Sequence, residues 1–349
     1  MTRLLRMTLT VMALWLSACA DEVPLPHAEP LSVERSVVES LYGAAPGAFN
    51  VVSRRDLLLP EDGDARELPF NLYYPDAQGP FPVLLFSHGN WSNRDSYDRL
   101  INHWVSHGYV VVAPDHLDCC GMARGIFNSL RYGQYGLIAA RIDDLTRLLD
   151  AVPSLTDVEP ALQGKLDTTR IAMTGHSFGA FSAQQFGGAA ALDPDSDSYV
   201  GALDTRMKAI VALSPPGPMF DVITERSWDA LTLPNLATTG TWDIQPGFWP
   251  DWRDHLMSFK AGTSEDKFAL VVEGADHFLG NLICRLEREA QPQDDALLMV
   301  RATTTAFLDH YVKGKPAVPT LFAAGWLDAT TAGFARVLTR DDADEPRHN

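Results

Sequence analysis

Thr174-Gly175-His176-Ser177-Phe178-Gly179 lies between a strand-like apolar run, 170–173, and a helix-like run, 180–186. A Gly-x-Ser-x-Gly sequence in this setting predicts a sharp turn from a strand into a helix, with the serine at its apex. Both glycines have a steric reason, because a side chain at either position would collide with the strained turn. The turn presents the hydroxyl of Ser177 at the positive end of a helix dipole, which stabilises developing negative charge. Ser177 is therefore the candidate nucleophile.

The chemistry of a serine nucleophile sets what must follow it. A serine hydroxyl needs a base, and the base needs a carboxylate that orients it, in the chain order Ser, acid, His. Asp243 comes just after the strand-like run 234–239, and His277 comes just after 267–273. We therefore predict a triad of Ser177, Asp243 and His277. The alternatives that the sequence leaves open are Asp221 and Asp276 for the acid, and His255 and His310 for the histidine.

Two backbone N–H groups are expected to stabilise the oxyanion that forms when the serine attacks. One belongs to Phe178, directly after the nucleophile. The other is expected in the loop after the strand-like run 82–87, where Gly89 permits a tight turn and Asn90 follows it. We predict Asn90 as the second donor and interpret His88 as a structural hydrogen-bonding residue of the loop.

Three stretches, 84–89, 107–116 and 174–179, carry a resemblance to a known superfamily. Over about 49–313 the chain resembles the α/β-hydrolases, and among them the dienelactone-hydrolase-like esterases and the platelet-activating-factor acetylhydrolases. The resemblance implies a serine hydrolase of carboxylic esters. Two features depart from it. Dienelactone hydrolases use a cysteine nucleophile, and the acetylhydrolases place the acid after the sixth strand, where this chain has none before Asp221.

The order of the predicted elements indicates an α/β fold. Strand-like runs alternate with helical segments, which predicts a mostly parallel, eight-stranded sheet with helices on both faces. The predicted strands are 49–59, 67–74, 82–87, 109–114, 169–174, 208–213, 234–239 and 267–273. The predicted helices are 95–106, 135–152, 178–190, 251–260 and 294–313. We place the catalytic domain at 46–340, after a signal peptide (1–18) and a tether (19–45), and expect a disordered tail at 341–349.

The N-terminus predicts the location of the protein. A short basic region, 1–6, precedes an apolar run, 7–16, that is too short to span a bilayer. Leu16-Ser17-Ala18-Cys19 resembles a bacterial lipoprotein signal, which implies lipidation of Cys19 and anchoring by acyl chains. Ala20 after the cysteine resembles an outer-membrane sorting signal. We therefore expect an outer-membrane lipoprotein of the cell envelope, with an ordinary secretory peptide as the alternative.

Three further cysteines are Cys119, Cys120 and Cys284. An oxidising envelope favours one bridge and one odd thiol. Adjacent cysteines rarely have the Cα separation that a disulfide needs, so we predict that Cys284 pairs with Cys120 or with Cys119. The spacing of cysteines and histidines does not match a zinc site, and His116 with Asp118 is too small a set for a metal. We expect neither a metal nor a cofactor.

Composition and charge exclude some classes of partner. The chain has 45 acidic and 28 basic residues, a net charge of −17, which argues against binding to nucleic acid and against overall electrostatic attraction to anionic surfaces. Its 349 residues, 46% of them hydrophobic, fit one large globular domain, which we expect to be monomeric.

Aromatic residues near the expected cleft suggest the substrate. We predict that they line an apolar pocket for a small or polymeric ester. These residues are Trp91, Trp242, Phe248 and Trp249. The segment 214–233 is too short for a large cap, so a shallow cleft for short-chain, lipid-derived or polyester-like esters is expected. The alternatives are a peptidase or amidase on the same fold, and a catalytically silent binding lipoprotein.

Overall fold

The computed structural model describes residues 30–59, 66–245, 249–316 and 319–344. The strands in these ranges are β1 (Val51–Leu59), β2 (Leu68–Pro75), β3 (Phe81–Ser87), β4 (Val110–Pro114), β5 (Leu166–His176), β6 (Ala190–Asp193), β7 (Ser198–Gly201), β8 (Met207–Leu213), β9 (Asn235–Trp242), β10 (Lys267–Asp276) and β11 (Ala335–Leu338). The signal peptide and Cys19 lie outside the described residues.

Helices connect most of these strands. The α-helices in the same ranges are α1 (Arg35–Glu39), α2 (Asp98–Ser106), α3 (Met122–Ala151), α4 (Leu155–Val158), α5 (Phe178–Gln185), α6 (Met257–Ala261), α7 (Asp294–Tyr311) and α8 (Trp326–Thr331). Short 3₁₀ helices are Arg94–Tyr97, Val152–Ser154, Pro160–Leu162, Glu225–Trp228, Trp252–Leu256, Pro319–Phe322 and Arg340–Asp344. Within the described ranges, we find no helix with both the length and the apolarity needed to cross a membrane.

Nine strands form the main sheet in the order β1-β2-β4-β3-β5-β8-β9-β10-β11. The six strands from β4 to β10 run parallel, while β1, β2 and β11 join through antiparallel pairs. The predicted α/β class is confirmed, and all eight predicted strands are present. The predicted count of eight was one short, because the four residues of β11 are too few to show a periodic pattern.

Residues along the central strands alternate between two cores. On β3, Leu84 and Phe86 pack into a cluster with residues of α2 and α7, whereas Val83 and Leu85 pack into a second cluster with residues of α3. All four side chains are fully buried. Each such burial contributes about 1.5–3 kcal/mol. Burial on both faces explains why these strands read as continuous apolar runs, as is usual for parallel sheets.

The segment before β1 also contributes to the core. Val38 on α1, together with Leu41 and Ala44, is buried in the cluster that contains α7. These residues lie within the segment 19–45 that the sequence predicts as a tether. A short helix therefore lies against the sheet domain inside that segment.

Candidate active site

Ser177 lies at a strained turn between β5 and α5. Its φ of 53° and ψ of −124° are unfavourable for a side-chain-bearing residue. A Cβ on Gly175 would lie 2.2 Å from the carbonyl oxygen of Gly179, and a Cβ on Gly179 would lie 2.1 Å from that of Ser87. Both glycines are thus required by close backbone contact. The N–H of Ser177 donates to the carbonyl of Leu213 on the neighbouring strand at 2.8 Å, which fixes the turn against the sheet.

Asp243 and His277 meet where β9 and β10 end. The two strands are parallel, and the pairing of Trp242 with Asp276 brings the residues that follow them together. Nδ1 of His277 donates to Oδ1 of Asp243 at 2.7 Å, and Thr239 Oγ1 donates to Oδ2 at 3.0 Å. This leaves Nε2 of His277 as the proton acceptor.

His176, the residue before Ser177, links the candidate nucleophile to this pair. Nε2 of His176 donates to the carbonyl of His277 at 2.9 Å, and the two imidazole rings are 4.8 Å apart. Ser177 is 7% exposed and His277 is 4% exposed. Within the described residues, the Ser177 hydroxyl makes no hydrogen bond to His277. Such catalytic bonds often form only when substrate is present.

A second histidine, His255, contacts the same carboxylate. Its Nε2 lies 3.0 Å from Oδ1 of Asp243, without hydrogen-bond alignment, and its Nδ1 donates to the carbonyl of Pro215 at 2.7 Å. His255 is completely buried, so it is poorly placed to act on a substrate. Burial lowers the pKa of His255, but Asp243 outweighs burial and raises this pKa above the usual value. Burial raises the pKa of Asp243, but His255 and His277 hold it well below its usual range.

Asp276, Asp221 and His310, which the sequence also allows as triad members, lie in different surroundings. Asp276 accepts the N–H groups of Phe278 and Gly280, at 3.0 and 2.7 Å, and so shapes the loop after β10. Asp221 is exposed. His310 bonds through Nδ1 to the carbonyl of Lys315 at the end of α7. In the described structure, only Asp243 among the candidate acids bonds to His277.

Two hydrogen bonds hold the carbonyl of Gly89 and so fix the direction of the N–H of Asn90, which belongs to the same peptide. The Gly89 carbonyl accepts hydrogen bonds from Nδ1 of His88 at 2.8 Å and from the N–H of Ser92 at 3.1 Å. Because a trans peptide is planar, the N–H of Asn90 points opposite to that carbonyl. Neither this N–H nor that of Phe178 donates a hydrogen bond within the described residues. Both remain available to an oxyanion.

A buried ion pair supports the same loop. Arg141 on α3 donates to both carboxylate oxygens of Asp118, at 2.9 and 2.7 Å, and to the carbonyl of His88 at 2.7 Å. Its guanidinium also lies 4.9 Å from the centre of the Phe178 ring. Burial raises the pKa of Asp118, but Arg141 outweighs it and lowers this pKa to about 2. Arg141 therefore contacts the loop just before Asn90 and the side chain of Phe178, which the sequence did not indicate.

Ser87, His116 and Asp144 form a second chain of hydrogen bonds with the pattern of a triad. His116 Nε2 lies 2.9 Å from Ser87 Oγ, and its Nδ1 lies 2.9 Å from the Asp144 carboxylate. All three are at most 1% exposed. Burial, followed by the charge of Arg141, lowers the pKa of His116 well below its usual value, and burial raises that of Asp144 to about 6. Because no substrate can reach Ser87, this network is structural.

The predicted pocket residues differ in their positions. Trp249 is 6% exposed and stacks on the His277 ring at 5.9 Å. Trp242 is 38% exposed, and Trp91 packs its indole against Gly125 of α3. Phe248 lies outside the described residues. Of the three predicted pocket residues that the structure describes, Trp249 is the one that contacts the His277 ring.

A cavity of about 20 Å³ lies beside His277, lined by Ser214, Leu279 and neighbouring residues. A larger cavity of about 280 Å³ lies at Arg35, Glu273 and Asp295, and Ser177 is not among its lining residues. Ser177 does not line either of these two cavities.

The predicted bridge between Cys284 and Cys120, or Cys119, is wrong. Cys119 and Cys120 are bonded to each other, and Cys284 is a buried free thiol whose pKa is raised by burial. The bridge spans a Cα separation of 3.7 Å, shorter than the separation on which the prediction relied, with Cys120 at a φ of 75°. The loop of Cys284 is joined to the oxyanion loop by a hydrogen bond instead, from Ser92 Oγ to the Cys284 carbonyl at 3.0 Å.

Two groups of described side chains have the composition of metal sites. Asp243, His255 and His277 bring their ligand atoms within 4.8 Å of one another, as do Asp115, Cys119 and Cys120. In the first group the carboxylate already bonds to His277, and in the second both sulfurs are in the disulfide. Neither group is a preformed metal site.

Comparison with known proteins agrees with this architecture. The chlorophyllase family model matches residues 62–215. Cutinase est2 of Thermobifida alba is 25% identical over 73% of this chain and 71% of its own length. Cutinase cut1 of Thermobifida fusca is 23% identical over 81% of this chain and 75% of its own. Chlorophyllase-1 of Arabidopsis thaliana is 35% identical over 20% of this chain and 23% of its own. With the parallel sheet and the turn at Ser177, these similarities show that the chain has the α/β-hydrolase fold.

Proposed function

We propose that this chain is a serine hydrolase of carboxylic esters. The observation that carries the proposal is the 2.7 Å hydrogen bond between His277 and Asp243 at the sheet edge where Ser177 occupies its strained turn. The similarity to proteins named cutinases and chlorophyllases, which are ester hydrolases, supports the same reaction.

The proposed reaction uses the proton-accepting nitrogen of His277. Nε2 removes the proton of Ser177 as its oxygen attacks the ester carbonyl, and the N–H groups of Asn90 and Phe178 bind the oxyanion. His277 then gives this proton to the departing alkoxide, which leaves an acyl group on Ser177. Water, deprotonated by His277, releases the acid and restores the serine. Asp243 holds the imidazole in the required tautomer and stabilises its charged form.

The substrate is proposed from the shape of the site. The Trp249 ring stacked on His277 and the short segment 214–233 suit an ester that is presented at a shallow surface. Short-chain esters and the ester groups of lipids or polyesters meet this requirement. No cofactor takes part in the proposed reaction.

The test is hydrolysis of p-nitrophenyl esters of increasing acyl length by the full chain carrying Cys19→Ser, beside the same protein with Ser177→Ala. We expect turnover that is lost in the Ser177→Ala variant, and covalent labelling of Ser177 by a fluorophosphonate. Faster cleavage of matched amides than of esters would instead identify a peptidase or amidase. Absence of both turnover and labelling would identify a silent binding protein.

We also propose that the protein is an outer-membrane lipoprotein, from the sequence that ends at Cys19. Growth with radiolabelled palmitate is expected to label the wild type and not Cys19→Ser. Fractionation of the envelope then tests the membrane. Equal labelling of both proteins, or recovery of the wild type without label, would contradict the lipid anchor.

A further inference from the structure

The first part of α3 carries an exposed apolar surface beside the oxyanion loop. The three most exposed large apolar side chains of the described structure are Leu130, at 83%, and Met122 and Phe127, at 60% each. We name these three residues the apolar patch. At about 100° per residue they cover about 140° of the helix surface, with Leu130 between the other two. A helix normally turns such an arc toward the protein core.

The buried side of this segment is small and polar. Gly125 lies under the indole of Trp91, where a Cβ would come within 1.8 Å of Trp91 Cδ1. Asn128 donates from Nδ2 to the carbonyl of Leu117 at 2.7 Å. These contacts hold the helix with its apolar arc facing solvent. The conformation of Gly133, with φ 68° and ψ 172°, then separates this segment from the rest of α3.

Positive charge borders the apolar patch on one side. Arg131 and Arg124 lie at about 180° and 200° on the same helical projection, next to Phe127. Both are exposed. Arg131 lies 5.0 Å from the centre of the Tyr132 ring. Burial raises the pKa of Asp115, and the charge of Arg124 acts to lower it. Neither arginine is within ion-pair distance of a carboxylate of the described residues. Residues 119–142 contain no acidic residue, although the chain has a net charge of −17. An apolar face bordered by arginines is typical of helices that lie on anionic lipid surfaces.

The patch is joined to the candidate active site. The N–H of Gly121 donates to the carbonyl of Trp91 at 3.0 Å, and Trp91 directly follows Asn90. We propose that the apolar patch, with Arg124 and Arg131, docks this protein onto an anionic lipid surface and so presents lipid esters to Ser177. This inference rests on the proposed ester hydrolysis and names its substrate class. The charge complementarity favours a lipid surface over an uncharged polyester film.

The test measures co-sedimentation with vesicles of phosphatidylcholine alone and of an equal mixture with phosphatidylglycerol. It uses the full chain with Cys19→Ser, so that no acyl group contributes. We expect stronger binding to the mixed vesicles. Phe127→Ser with Leu130→Ser is expected to weaken binding at least about tenfold, as the burial energy of one such side chain implies. Arg124→Gln with Arg131→Gln is expected to remove the preference for phosphatidylglycerol.

Leu203→Ser is the matched control, because Leu203 is 59% exposed and precedes the start of β8, whereas Ser177 follows the end of the parallel strand β5. It is expected to change neither binding nor hydrolysis, and every variant should retain turnover of p-nitrophenyl acetate. Vesicle binding that is absent, or unchanged in the patch variants, overturns the inference. Binding to a polyester film but not to vesicles also overturns it. Failure of the proposed function would appear separately, as no turnover of the soluble ester.

Discussion

Nε2 of His255 lies 3.0 Å from Oδ1 of Asp243, the same carboxylate oxygen that accepts the hydrogen bond of His277. All three side chains are at most 4% exposed. The two histidines therefore share one buried negative charge. The carboxylate that is proposed to orient the base also contributes to an ion pair that holds β9 against the segment around His255.

This relationship predicts a pH-dependent stability. The raised pKa of His255 contributes stability that is complete below about pH 6.5 and is lost as the pH rises through the raised value. The depressed pKa of Asp243 contributes stability above about pH 3.8 that is lost only in stronger acid.

His255→Gln is expected to lower the free energy of unfolding by about 3 kcal/mol at pH 6 and to abolish the loss of stability at alkaline pH. Urea unfolding at several pH values measures both effects. An equal decline in wild type and variant would rule out His255 as its source.

The choice of acid is tested by two asparagine variants. Asp243→Asn is expected to lower kcat by about 10⁴-fold, because an amide favours the wrong tautomer of His277. Asp221→Asn is expected to leave kcat unchanged, since Asp221 is exposed and, among the described residues, its side chain makes no hydrogen bond to His277. Steady-state kinetics on a soluble ester compares them. The reverse result would assign the acid to Asp221.

Ser87 offers a matched control for the nucleophile. It bonds to His116 at 2.9 Å, as a catalytic serine does to its base, but it is fully buried. We expect Ser177→Ala to reduce kcat by at least about 10⁴-fold, whereas Ser87→Ala lowers stability by about 1–3 kcal/mol and retains most activity. Kinetics and thermal unfolding of both variants separate the two networks. Loss of fluorophosphonate labelling in Ser87→Ala, with folding intact, would contradict this division.

Arg141 is predicted to act by orienting the oxyanion loop. Arg141→Lys keeps a positive charge beside Asp118 but cannot bind both its oxygens and the His88 carbonyl together. We expect kcat to fall about 10- to 100-fold with little change in KM, because the affected N–H of Asn90 acts mainly in the transition state. A variant that loses stability alone, with kcat unchanged, would restrict Arg141 to a structural role.

The cysteine pairing is open to direct measurement. Peptide mapping without reduction is expected to find Cys119 and Cys120 linked within one peptide, and Cys284 free. Cys284 should react with an alkylating reagent only after unfolding, because it is buried and its pKa is raised. Recovery of a peptide that contains Cys284 joined to Cys120 would restore the pairing that the sequence suggested.

Several features of the fold were predictable because they depend on neighbours in the chain. Six of the eight predicted strands run parallel, and these were predictable because strands buried on both faces need continuous apolar sequence. The first part of α3 was not predicted. Glycines at 121, 125, 133 and 136 interrupt its helical pattern, and its apolar face turns outward. Position 125 needs a glycine because the indole of Trp91, which is distant in sequence, leaves no room for a Cβ there.

The sequence by itself determined the parallel sheet, the turn at Ser177 and the order in which Asp243 and His277 follow strand ends. These depend on backbone sterics and on periodic apolar patterns within a few residues. Only the tertiary structure decided which buried charges meet. Arg141 pairs with Asp118 over 23 positions, and His255 reaches Asp243 from a separate segment. Such contacts arise because a buried charge must find a partner in three dimensions, and spacing along the chain does not specify which one.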